Sequence, residues 1–87
     1  MAKRTKLEII RDILKLIQDN HNIKPTPLLR RSGLSSSRFK QYYLELLEKE
    51  FVKKVDGKSK HVVLTERGFK FIEKYQTIIN FIDEFEL

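Results

Sequence analysis

The stretch PTPLLRRSGLSSSRFKQYYLELLEKE, residues 25–50, decides the fold. Gly33 divides it in two. Before the glycine, Thr26-Pro27 is a helix start, an N-cap followed by a proline whose missing N–H costs nothing in the first turn. Leu28 and Leu29 give this short helix an apolar side. Arg30 and Arg31 sit near its C-terminus, where the helix dipole favours cations. Gly33 stops it most easily in a left-handed conformation. After the glycine, Ser35, Ser36 and Ser37 offer N-caps for a further helix. On that helix Phe39, Tyr42, Tyr43, Leu46 and Leu47 fall within about 140° of arc and predict a core-facing side. The opposite face carries Ser37, Gln41, Leu44 and Glu48, flanked by Arg38 and Lys40.

Upstream, Thr5-Lys6-Leu7-Glu8 is a capping box, in which the Thr5 hydroxyl and the Glu8 carboxylate each accept from the other residue's backbone N–H. Leu7, Ile10, Ile13, Leu14 and Ile17 follow at spacings of three and four, the stripe of an amphipathic helix. Asn20-His21-Asn22 ends it, and Ile23-Lys24 predicts a very short strand. Downstream, Phe51–Val55 and Lys60–Leu64 are β-branched and aromatic segments around Asp56-Gly57, a hairpin signal that Lys58-Ser59 extends. The hairpin is basic: Lys53, Lys54, Lys58, Lys60 and His61 lie on or near its tip. Thr65 caps a last helix that runs to about Phe85, roughly 30 Å at ~1.5 Å per residue. Phe71, Ile72, Tyr75, Ile78, Ile79, Phe81, Ile82 and Phe85 cover about half of its circumference.

The chain of 87 residues suits one small domain. It has no cysteine, so disulfides and thiolate metal sites are excluded and a cytoplasmic setting is the simpler expectation. No apolar run is long enough for a membrane span, and charges interrupt Leu7 to Ile17 too often for a secretory signal. The net charge of +6 is unevenly placed. Residues 1–70 carry 17 of the 18 Lys and Arg and 8 of the 12 acids, a net of +9, whereas residues 71–87 carry one Lys and four acids, a net of −3. A basic body with an acidic tail fits a polyanion-binding domain attached to something else.

Two helices joined by a short glycine-containing turn, followed by a hairpin, form a helix-turn-helix with a wing. The segments Pro27-Leu-Leu-Arg-Arg-Ser-Gly-Leu-Ser-Ser-Ser37, Tyr42 to Val52 and Val63-Leu-Thr-Glu-Arg-Gly68 resemble a small archaeal winged-helix family. That family includes transcriptional regulators and ten-kilodalton Sulfolobus DNA-binding proteins. The resemblance spans residues 5–85 and implies an α+β, mainly helical domain over residues 1–68. It also implies that the last helix, residues 69–87, pairs two chains as an antiparallel coiled coil. Glu50 departs from the pattern, because related sequences often place glycine there. A left-handed Glu would cost about 1 kcal/mol.

The function expected is binding of double-stranded DNA as a homodimer, in transcription regulation or as a nucleoid component. A protein–protein adaptor is the rival on the same fold. The N-terminal half of the third helix would enter the major groove, with Ser36, Ser37, Arg38, Lys40 and Gln41 toward DNA. There Arg prefers guanine O6/N7, Gln prefers adenine N6/N7, and Leu44 is placed for a thymine methyl. Arg30 and Arg31 would meet phosphates, and Lys58, Lys60 and His61 would meet DNA from the wing. Phe69 and Ile72 are expected in the domain core. Phe71, Ile72, Tyr75, Ile78, Ile79, Phe81, Ile82 and Phe85 are expected to supply the dimer interface, because one small domain offers little surface to cover them. An enzyme is not expected. The serine cluster is explained by capping, the two histidines lack ligand spacing, and the glycines are isolated. No cofactor, metal or small-molecule ligand is called for.

Overall fold

The computed structural model describes residues 4–57 and 60–87. Four helices and one hairpin follow in the order α1 (Lys6–Asp19), α2 (Pro25–Ser32), α3 (Ser36–Glu48), β1 (Val52–Val55), β2 (His61–Leu64) and α4 (Glu66–Glu84). The fold is α+β, with the two strands antiparallel and Val52 opposite Leu64.

The capping box forms as its sequence requires. The Thr5 hydroxyl accepts from the Glu8 N–H at 3.2 Å, and Glu8 accepts from the Thr5 N–H at 3.3 Å. The face of α1 that is buried is Ile9, Ile10, Ile13, Leu14 and Ile17. Leu7, expected in this stripe, is exposed; it lies in the first turn, before α1 meets the rest of the core. Leu28, Phe39, Tyr43, Leu46, Ile23, Val52, Val62 and Leu64 complete the buried core.

Helix α2 starts earlier than expected. Lys24 is its N-cap, without a side-chain bond, and Pro25 takes the first helical position. Pro27 then falls within the first turn, where its absent N–H also has no intrahelical acceptor to lose. The Ile23-Lys24 segment is not a strand, but the Ile23 carbonyl accepts from the Val62 N–H at 3.0 Å and anchors β2 to the helical body.

At the end of α3, the Phe51 N–H donates to the Leu46 carbonyl at 2.9 Å and the Glu50 N–H donates to the Leu47 carbonyl at 3.1 Å. These two bonds are a Schellman motif, which needs a left-handed residue at Glu50, and Glu50 has φ 62°. The Glu side chain is therefore held where glycine is cheaper. Glu50→Gly is expected to stabilise the fold by up to about 1 kcal/mol. A rise in the urea midpoint at unchanged slope would show it.

The start of α4 is laced to this turn. Thr65 donates its hydroxyl to the Glu50 carbonyl at 2.5 Å and its N–H to the Phe51 carbonyl at 3.1 Å. Its hydroxyl also accepts from the Gly68 N–H at 3.1 Å. Beyond this anchor α4 contributes little to the core. Only Gly68 is buried, and Phe71 and Ile72 pack partly against the body. Phe69, expected inside, is 49 % exposed; at about 100° per residue it lies roughly 160° from Phe71 and so sits on the outer flank of the half-buried side formed by Phe71, Ile72 and Tyr75. In its far half α4 still runs beside α1, where Gln76, Thr77 and Asn80 share a groove with Arg11, Lys15 and Gln18, but Ile78, Phe81, Ile82 and Phe85 are exposed, and the molecule extends 47 Å along its long axis.

Candidate nucleic-acid interface

Three residues turn α2 into α3. Gly33 has φ 74°, left-handed as its position demands. Ser32 is buried inside the turn, where its hydroxyl donates to the Leu29 carbonyl at 2.6 Å and accepts from the Leu34 N–H at 3.2 Å. Ser35 is the N-cap, accepting from the Arg38 N–H at 3.4 Å. The turn is braced from outside by Arg4, which donates to the Ser32 carbonyl at 2.9 Å and pairs with Asp12 of α1 at 3.0 Å. Phe39, Tyr43 and Leu46 face inward, and the Phe39 and Tyr43 rings stack at 5.5 Å.

With one side of α3 fixed in this way, the other is committed outward. Ser36, Ser37, Arg38, Lys40, Gln41 and Leu44 are all exposed. Arg38 and Gln41 line one shallow groove with Lys6, Tyr42 and Glu45. The one half-buried acid of α3 is neutralised. Glu45 accepts from Lys6 at 2.9 Å and lies 3.3 Å from the Lys49 ammonium. The Lys6 hydrogen bond holds the Glu45 carboxyl below the usual carboxylate value, against the opposing effect of partial burial. Glu45 in turn raises the pKa of Lys6. The contribution of this exposed pair is small. It is present above the ordinary carboxylate pKa and fades as pH falls through the lowered value.

Other sequence-predicted residues lie on α2 and the hairpin. Arg30 is exposed on α2, while Arg31 is exposed but donates to the Asn20 side chain. On the hairpin, Lys53, Lys54 and Lys60 are exposed and His61 is half-buried at the start of β2. Lys58 lies outside the described residues. The Lys54 ammonium lies 6.0 Å from the centre of the Tyr43 ring, a weak cation–π contact between β1 and α3. Arg4 and Lys6 were not singled out from the sequence. Their partners are 8 to 39 residues away, and no local pattern signals such pairs. Among the described residues no three His, Asp or Glu side chains gather as metal ligands, and no helix is long and apolar enough to cross a membrane.

Tyr43 carries a buried hydroxyl with no hydrogen-bond partner among the described residues. Burial pushes its pKa above 10.0. The folded state thus keeps a proton that the unfolded state gives up near that pH, and stability falls as pH rises past it. Tyr43→Phe is expected to raise stability by about 1 kcal/mol. It should also remove this alkaline dependence, as thermal unfolding at neutral and alkaline pH would show.

Of the predicted dimer residues, Phe71 packs on Phe51 at 5.3 Å and Tyr75 lies under the Arg11 guanidinium at 5.9 Å. Ile72 and Ile79 are half-buried. Ile78, Phe81, Ile82 and Phe85 are exposed.

The comparisons with known proteins agree with this architecture. The family described as winged helix-turn-helix matches residues 3–83. The chain is 34 % identical over 81 residues to the uncharacterized protein MJ0290 of Methanocaldococcus jannaschii, covering 93 % of this chain but 36 % of that protein. It therefore spans about a third of the length of this curated relative. Among solved structures, F-93 of SSV1 superposes with a TM-score of 0.68 at 23 % identity, covering 88 % of this chain and 91 % of that one. AF1382 of Archaeoglobus fulgidus gives 0.67 at 15 % identity, covering 90 % of each chain. The PcaV transcriptional regulator of Streptomyces coelicolor gives 0.75 at 18 % identity, covering 97 % of this chain and 61 % of that one. At these identities the structural likeness concerns the fold.

Proposed function

We propose that this chain, which belongs to the winged helix-turn-helix family, binds double-stranded DNA as a homodimer and serves in transcription regulation. One observation carries the proposal. The N-terminal half of α3 presents Ser36, Ser37, Arg38, Lys40 and Gln41 outward on a helix whose other side is locked in the core. A helix held this way can enter a major groove without rearranging the domain. Arg38 and Gln41 are then the base-reading side chains, and Leu44 is a candidate for a thymine methyl. Arg30, Arg31, Lys40 and Lys60 neutralise phosphates and release counterions, and Lys58 and His61 are assigned to the wing contact. The exposed part of α4, with Ile78, Phe81, Ile82 and Phe85, supplies the dimer contact together with the half-buried Phe71, Ile72, Tyr75 and Ile79. On this reading residues 1–68 bind DNA and residues 69–87 hold the pair together.

The regulatory part is tested by selecting bound sites from a pool of random duplexes. The selected site is expected to bind about 10³-fold more tightly than random sequence. Uniform affinity across the pool would replace the regulator with an architectural DNA-binding protein. Failure to bind any duplex would leave the adaptor role.

A further inference from the structure

Lys6 is the first residue of α1, and the chain on both sides of it is tied down. Before it, Arg4 donates one guanidinium nitrogen to the Ser32 carbonyl and the other to Asp12, which fixes the N-terminal segment against the α2–α3 turn. After it, Ile9 and Ile10 are buried in the core, and the capping box of Thr5 and Glu8 closes the first turn of α1. Lys6 itself stays outside. Its side chain is 59 % exposed, yet its ammonium is held 2.9 Å from Glu45 of α3. There it lines the same shallow groove as Arg38 and Gln41.

At about 100° per residue, Arg38, Tyr42, Glu45 and Lys49 fall within about 60° on one flank of α3. Lys6, Arg38 and Lys49 thus share that flank with one acid, Glu45. Tyr43 and Leu47 lie roughly 150° away, on the other flank. That is the side of the hairpin: Lys54 approaches the Tyr43 ring, and Leu47 lines a trough with Val52, Lys53 and Lys54. The strip of Ser37, Gln41 and Leu44 lies between, so Lys6 and the hairpin border α3 from opposite sides. A helix with its side chains is about 10–12 Å across, and the major groove is about 12 Å wide. A helix seated there has a sugar-phosphate strand along each flank.

We propose that Lys6 is a phosphate contact, which grips one strand of the duplex from the start of α1 while the hairpin meets the other. The proposal rests on the DNA-binding reading above and adds to it a contact outside the helix-turn-helix and the wing. Glu45 draws the ammonium to the edge of α3 with one hydrogen bond. An ammonium has three donors, so others stay available for phosphate oxygens. Lys49, 3.3 Å from Glu45, offsets the carboxylate that would otherwise repel the strand. Lysine acts here as a point charge and not as a fork, so it adds affinity without reading bases.

The test is titration of the whole chain with a selected duplex and with random-sequence duplex over a range of salt. In Lys6→Ala/Glu45→Gln one cation and one acid are lost together, so the net charge of +6 is unchanged. This variant is expected to bind both duplexes about fivefold more weakly per domain at low salt, with a log–log salt slope about 0.9 shallower per domain. The ratio between the two duplexes should stay as in wild type. Its melting temperature should stay close to wild type, because an exposed ion pair contributes little. Lys6→Arg, which keeps the charge, should bind like wild type. If Lys6 served only to neutralise Glu45, the double variant would match wild type in affinity and slope, and that result would overturn the proposal. A changed ratio between the duplexes would overturn it too, since Lys6 would then read bases. A wild type that binds beside an unchanged variant removes the Lys6 contact alone, whereas a wild type that binds no duplex removes the DNA-binding reading itself.

Discussion

Replacing Gly68 with alanine is expected to destabilise the fold by about 2–4 kcal/mol, although alanine is the better helix former. A Cβ at Gly68 would stand 2.3 Å from the Phe51 carbonyl oxygen and 3.3 Å from a Leu64 methyl. The oxygen is backbone and has no rotamer to escape into. Phe51 is held on one side by the Schellman turn from Leu46 and on the other by the Thr65 N–H. Moving α4 outward would break the two Thr65 bonds to Glu50 and Phe51 and loosen Phe71 from Phe51. The ~1 kcal/mol gained from helix propensity is smaller than these losses. For a domain of this size the melting temperature should drop by about 8 °C or more at fixed protein concentration. An unchanged or higher melting temperature would mean that α4 does not approach the α3–β1 turn so closely.

Reversing the charge at Arg38 is expected to have the largest effect on DNA binding. Arg38 is exposed at the N-terminal half of α3, beside Gln41 and away from the packed face. Losing one bidentate guanine contact costs about 1–3 kcal/mol, and a dimer loses two. A carboxylate in the groove adds repulsion from phosphates. Arg38→Glu should therefore weaken binding of a preferred duplex by about 100-fold or more. Arg38→Lys should keep much of the salt-dependent affinity while losing discrimination, because an ammonium neutralises charge without the bidentate fork. Thermal stability should stay near wild type for both. Unchanged DNA affinity in Arg38→Glu would remove α3 from the interface.

Much of this fold is legible in the sequence because its punctuation is local. Thr5 with Glu8, Gly33, Ser35 and, in its cap to Gly68, Thr65 each act within three or four residues, and each forms the cap or turn its chemistry implies. The start of α2 is less legible, since Pro25 and Pro27 are both compatible with a first helical turn and Lys24 gives no capping signal. Along α4, Phe69, Phe71 and Ile72 form an apolar run too short to choose a face. The choice is made by Gly68, which seats the helix on Phe51 and turns Phe69 outward. Glu50 shows the converse. The sequence marks it as costly in a left-handed turn, and the fold adopts that turn nonetheless, held by Leu46, Leu47 and Thr65. The outward face of α3 follows from its periodicity, whereas the bracing by Arg4 and Lys6 depends on long-range pairing that periodicity does not encode.

The most direct test of the central claim is a fluorescence-anisotropy titration of random-sequence duplex DNA at two salt concentrations, with duplex RNA of equal length as competitor. Binding should weaken steeply as salt rises, with a slope that counts the phosphates neutralised. RNA should compete poorly, since its major groove is too narrow to admit α3. Absence of binding even at low salt would contradict the account.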